Sequence, residues 1–115
     1  MIRCRRGDVV EVDLGYLGKV RPGVVVSIAE ADHERQLMVI VPITMVIRKT
    51  VWEVPFDKPR WLMDESVVNL TGIIGVSNHK TIRHLGIFPK DAMEKVSDGL
   101  YWLLGLGDSA GQAPA

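Results

Sequence analysis

The chain changes its hydrophobic period once. Up to residue 88 the apolar residues come in short runs, several with the two-residue repeat of a strand, and Gly, Pro or polar turns separate them. From a start near Pro89 they fall instead at Met93, Val96, Leu100, Leu103 and Leu104, the spacing of one helix face. Such a chain builds a sheet first and lays a single helix on it. The expected fold class is therefore mainly β, a small, strongly bent antiparallel sheet or barrel with a C-terminal α-helix. At 115 residues, with no internal repeat and no linker, it fits one domain. That domain is expected over residues 1–106, with 107–115 as a small, polar, flexible tail.

The runs assign themselves in order. Val10, Val12 and Leu14 alternate with Val9, Glu11 and Asp13 as a half-buried strand. Gly15 to Lys19 is a connecting loop. Arg21-Pro22-Gly23 leads into a second strand, Val24 to Ile28, with Pro22 at a strand start where no N–H is needed. Ala29 to Arg35 reads as a loop. Leu37 to Val41 is continuously apolar and reads as a buried central strand, which Pro42 is expected to end or bulge. Val51 to Phe56 alternates, and Pro55 suggests an edge. Ser66 to Val76 reads as one long strand bent at Gly72 and Gly75, as in a barrel. Ser77 to Lys80 is a turn and Thr81 to Phe88 a last strand, about six in all. Gly105 and Gly107 stop the helix.

Composition removes several classes of function. Lys plus Arg equals Asp plus Glu, so the formal net charge is zero. Any contact with a polyanion must use a local patch and not the whole surface. The single cysteine, Cys4, forbids an intrachain disulfide. His33, His79 and His84 are scattered, no His/Cys cluster has zinc spacing, and neither a phosphate-cradling glycine loop nor a Gly-x-Ser-x-Gly elbow occurs. No metal and no cofactor are expected. Asp8, Glu11 and Asp13 interrupt the N-terminal segment, and no apolar run approaches the roughly 18 residues of a membrane span. The expected compartment is the cytoplasm, with no membrane partner.

Two residues carry possible chemistry. Arg21 stands beside Pro22 where a glycine-containing loop enters a strand. From position alone it is either a solvated strand-end arginine or a fixed fork of donors for a phosphate. Thr44 closes Val41-Pro42-Ile43-Thr44 and is either an ordinary β-branched strand end or a hydroxyl facing a cleft. Arg3, Arg5 and Arg6 form a basic cluster, and Trp52, Trp61, Tyr16 and Phe56 are possible stacking surfaces for single-stranded nucleic acid. Trp52 alternates within a strand and fits a core better than a platform. Tyr101, Trp102 and the leucines of the last helix are core or a dimer seam.

In order along the chain, these pieces resemble the MazF/PemK family of toxin ribonucleases. The resemblance runs from about residue 5 to 106. It is carried by Arg6 to Leu14, by Arg21-Pro22-Gly23-Val24-Val25-Val26-Ser27 and by Val41-Pro42-Ile43-Thr44. Ser66 to Leu70, Leu85 to Phe88 and Met93 to Val96 complete it. It implies an SH3-like β-barrel of the MazF/CcdB/PemK type working as a homodimer. It implies metal-independent cleavage of single-stranded RNA, messenger RNA foremost, at short sequences, leaving a 2′,3′-cyclic phosphate and a 5′-hydroxyl. It also implies a cognate antitoxin whose extended segment lies over the groove. By the same resemblance the catalytic pair falls on Arg21 and Thr44. Tyr16, Lys19, Ser27, Arg6, His79, Lys80 and Arg83 are the further candidates for RNA contacts. His79 and His84 are candidate proton acceptors if they reach the groove.

Two departures from the family pattern bear on this. The loop from Gly15 to Val20 is short, and Thr71-Gly72-Ile73-Ile74-Gly75-Val76 replaces a polar Asp-Gln-Ile-Arg-like stretch. Two alternatives keep the same fold and act by protein binding: a gyrase-directed poison, suggested by Tyr101-Trp102, and a non-catalytic member, suggested by Ile73-Ile74.

Overall fold

The computed structural model describes residues 4–15, 19–28 and 37–107. Seven strands precede one helix: β1 Asp8–Asp13, β2 Val20–Val25, β3 Leu37–Thr44, β4 Glu53–Pro55, β5 Val67–Asn69, β6 Ile74–Ser77, β7 Thr81–Ile87 and α1 Lys90–Leu103. All pairings are antiparallel, in the order β4-β5-β3-β2-β1-β7, with β6 also on β3. The mainly β architecture with a C-terminal helix is as the hydrophobic period requires. Among the described residues no helix is long and apolar enough to cross a membrane.

The central strands are buried on both faces, which is why their sequences read as continuous apolar runs. Val9, Val24, Val41, Ile43, Val54, Val68 and Leu70 face the helix and join Phe88, Ala92, Val96 and Leu100 in one core. Val10, Val12, Val25, Met38 and Ile40 face the other way and form a second core with Cys4. Burial pushes the Cys4 thiol up from its ordinary pKa, with Asp8 adding to the effect and a hydrogen bond with Thr81 opposing it. Each fully buried valine or isoleucine contributes about 1.5–3 kcal/mol of transfer free energy.

The helix lies on the first core. Gly99 lets it approach, because a β-carbon there would fall 2.3 Å from Leu70 Cδ1. The Arg6 guanidinium donates to the Val26 carbonyl and to Ser97 Oγ, tying the end of β2 to α1. At its C-terminus Gly105 takes φ +68°, and the N–H groups of Gly105 and Leu106 return to the carbonyls of Trp102 and Tyr101. This is a Schellman stop, which only a residue free of a Cβ adopts easily. Tyr101 is exposed and Trp102 half-buried.

Four expectations are corrected. The second strand begins at Val20 and ends at Val25, so Pro22 is inside it, and Ile28 is 78% exposed. Pro42 does not end the central strand, which runs on to Thr44. Ser66 to Val76 is two strands, not one: β5 and β6 pair different stretches of β3, and a 3-10 turn at Leu70–Gly72 carries the chain between them. That division makes the strand count seven, and Gly75 sits inside β6 without breaking it. The residue 29–35 loop and the tail from Asp108 lie outside the described residues.

Between β3 and β4 the chain turns on the Glu53 carboxylate, which accepts from the N–H groups of Arg48 and Thr50. Lys49, between them, is held at φ +56°. A side chain in that region costs about 1–2 kcal/mol that glycine avoids. Lys49→Gly is therefore expected to stabilise the protein by up to about 1 kcal/mol, read as a higher urea midpoint with an unchanged slope. A lower midpoint would show that the loop is not constrained in this way.

Candidate active site

The site arises where a ladder stops. β2 and β3 pair as Gly23 with Pro42, Val24 with Val41 and Val25 with Ile40. Just beyond, the Val26 N–H donates to the Val39 carbonyl at 2.9 Å, so alternate residues from Val26 back through Val24 turn their backbone toward β3. The next hydrogen-bonded partners in this register are Pro22 and Ile43. Pro22 has no N–H to give, and the ladder ends there. Pro42 is tolerated for the complementary reason. Its nitrogen faces the opposite side of β3, in the gap between the last partner from β6, at Ile40, and the first from β5, at Ile43.

Continuing the register two residues past Gly23 and Pro42 sets Arg21 opposite Thr44, both on the face that carries Val25 and Ile40. Both are half-buried. They line one cleft of about 320 Å³ together with Leu14, Ile40, Pro42, Ile43, Val46, Asn69, Gly72 and Ile74. Among the described residues the Arg21 side chain makes no hydrogen bond or ion pair within the chain, so its fork of donors is available. Thr44 Oγ1 accepts from the Val46 N–H at 3.1 Å, which turns the hydroxyl toward donating its own proton. No carboxylate and no imidazole lines this cleft among the described residues.

Arg21 also lines a neighbouring cleft of about 330 Å³, with Glu11, Trp61, Asp64, Ser66 and Arg83 on its walls. Here Glu11 accepts from Arg83, with Nε 3.3 Å from the carboxylate. Trp61 is a half-buried wall packed on Gly86, where a β-carbon would fall 2.4 Å from its Nε1.

The other sequence candidates are dispersed. Arg6 is engaged with Val26 and Ser97, away from both clefts. Ser27 Oγ accepts the Val39 N–H at 2.9 Å and serves the sheet. Lys19 is exposed just before β2, and its carbonyl accepts from the Leu14 N–H. His79 and Lys80 are exposed in the turn before β7, and His84 lies 3.4 Å from Asp8. Neither histidine lines either cleft. Tyr16, Arg3 and His33 lie outside the described residues.

Asn69 and Glu11 went unread in the sequence. Asn69 is an asparagine in an apolar run, at the end of β5, and a residue type that strands disfavour, and that misfit is its signal in the sequence.

The chain has counterparts among known proteins. The sequence pattern of the PemK-like, MazF-like toxins of type II toxin–antitoxin systems matches residues 5–104. Among curated proteins no sequence match was found. An endoribonuclease from a mycobacterial species, solved in complex with its cognate antitoxin, is 26% identical with a TM-score of 0.78, over 90% of this chain and 97% of its own. MazF from Deinococcus radiodurans superimposes with a TM-score of 0.77 at 23% identity, over 91% of this chain and 99% of its own. The MazE–MazF complex from the same organism gives 0.75 at 24% identity, over 91% and 98%. The last two show the shared fold. With the family pattern matched from residue 5 to residue 104, the chain belongs to the PemK-like, MazF-like toxins of type II toxin–antitoxin systems.

Proposed function

We propose that this toxin is an endoribonuclease that cuts single-stranded RNA, messenger RNA foremost, at short sequences and without a metal. The RNA's own 2′-hydroxyl attacks the adjacent phosphorus. The 2′-O–P bond forms as the P–O5′ bond breaks, so one product ends in a 2′,3′-cyclic phosphate and the other in a 5′-hydroxyl. The 2′ proton leaves to a base, and the departing 5′-oxygen takes up a proton. The supporting observation is the cleft shared by Arg21 and Thr44, whose side chains can donate to an anion while neither repels it. The Arg21 fork stabilises charge on the non-bridging oxygens, and the Thr44 hydroxyl adds a donor. A guanidinium keeps its proton at any working pH, so Arg21 acts by charge and not as a base.

The partner implied by the family is an antitoxin, with an extended segment over the same groove. The 26%-identical endoribonuclease was solved with its cognate antitoxin, which supports that reading. A homodimer is the expected assembly. The test is incubation with a mixed-sequence single-stranded RNA in EDTA, followed by mapping of the ends. Cuts at a short motif with cyclic-phosphate ends are expected. Because no imidazole lines the cleft among the described residues, log rate is expected to rise through pH 6–8 without a histidine inflection near about 6.5. Intact RNA in the presence of folded protein would move the assignment to a protein-binding member of the fold, for which the exposed Ile74 on the cleft wall would be the contact to examine.

A further inference from the structure

We propose that Asn69 is a third substrate donor in the Arg21–Thr44 cleft and that Thr71 is the residue that aims it. The proposal rests on the endoribonuclease reading above and gives a role to a residue that the motif from Ser66 to Leu70 contains but to which the resemblance assigns none. Asn69 ends β5 and lines the cleft, half-buried, just before the 3-10 turn. Its Oδ1 accepts from the Thr71 hydroxyl at 2.7 Å. A carboxamide whose oxygen is occupied in this way presents its NH2 to whatever fills the cleft.

Gly72 keeps that amide accessible. A β-carbon at residue 72 would fall 2.6 Å from Pro42 Cγ and 3.4 Å from Asn69 Nδ2. The absence of a side chain lets the turn lie flat on the Pro42 ring and leaves the amide nitrogen uncovered on that side. Among the described residues the polar side chains of the cleft are then Arg21, Thr44 and Asn69. All three are set to donate, from β2, β3 and β5 respectively. Their common complement is an acceptor-rich anion, and a phosphodiester's non-bridging oxygens are the acceptors that gain charge during the reaction. Asn69 adds its donor without adding charge, which suits a protein of zero net charge. In this chain, then, the Thr71–Val76 stretch contributes through Thr71 and Gly72, by orienting and uncovering an amide, and not through charged side chains of its own.

The experiment compares wild type, Asn69→Ala, Asn69→Asp, Thr71→Val and Thr71→Ser in RNA cleavage, with melting temperatures to establish folding. Asn69→Ala is expected to lower kcat by about 10²-fold with KM changed only a few-fold, as for loss of one oxyanion donor. Asn69→Asp should fall further, because a carboxylate repels the phosphate. Thr71→Val should lose part of the rate and Thr71→Ser should retain it. A folded Asn69→Ala enzyme with wild-type kcat, or an equally active Asn69→Asp, overturns the role of Asn69. Equal impairment in Thr71→Val and Thr71→Ser overturns that of Thr71. A readout independent of cleavage separates this proposal from the underlying one. The Asn69 side-chain NH2 resonances of ¹⁵N-labelled protein are expected to shift on saturation with an oligonucleotide carrying 2′-deoxyribose at the cut. If they stay in place, Asn69 does not touch the substrate, whether or not the wild type cuts RNA.

Discussion

Arg21→Ala is expected to fold like the wild type and to cleave RNA about 10³-fold more slowly, the scale set by losing a charged, preorganised donor. Folding should be unaffected because Arg21 is only half-buried and its side chain makes no hydrogen bond or ion pair among the described residues. Its removal strands no buried partner. Arg21→Lys is the sharper control. Lysine restores the charge but not the planar fork, so it should recover only a small part of the rate. Single-turnover rates at saturating RNA, with circular dichroism and melting curves for each variant, decide the matter. An Arg21→Ala protein with an unchanged melting temperature and an unchanged rate would remove Arg21 from the site. A rate loss matched by a collapse in melting temperature would make it a structural residue.

The largest stability effect is expected at the seat of the helix. Leu70 is fully buried between the sheet and α1, and Leu70→Ala should cost about 3–5 kcal/mol through lost transfer energy and the cavity left behind. Gly99 turns this into a test of packing. A β-carbon at Gly99 would lie 2.3 Å from Leu70 Cδ1, so Gly99→Ala alone must displace a core side chain. That costs about 1–3 kcal/mol, offset in part by the roughly 1 kcal/mol that alanine gains over glycine inside a helix. In Leu70→Ala the obstructing methyl is gone, and the Gly99→Ala methyl enters vacated space. The double variant is therefore expected to be more stable than Leu70→Ala alone, with a favourable coupling of about 1 kcal/mol or more in a urea-unfolding cycle. Strict additivity would mean that the helix does not sit on Leu70 at this distance.

Both expectations depend on features that differ in how legible they were. Period alone separated strands from helix, because a residue's face is fixed by local geometry and needs no partner. The helix from Lys90 to Leu103 and its glycine stop were readable for the same reason. The bent run from Ser66 to Val76 was misread as continuous because a β-prone stretch does not say which partner each half will pair. Here the halves pair different stretches of β3, and the 3-10 turn between them follows from that choice. Pro22 and Pro42 looked like strand boundaries because a proline's cost depends on whether its missing N–H had a partner, which is a tertiary question.

Sequence by itself therefore determined the element types, the apolar faces and, through the ordered motifs, the family with Arg21 and Thr44 as its candidate pair. Only the tertiary structure decided that Pro22 halts the β2–β3 ladder, that this opens a cleft between Arg21 and Thr44, and that Asn69 enters it while Arg6, Ser27, His79 and His84 do not. The physical reason is register. Which side chains share a cleft depends on how strands far apart in the chain are aligned, and a shift of one residue would send Arg21 and Thr44 to opposite faces.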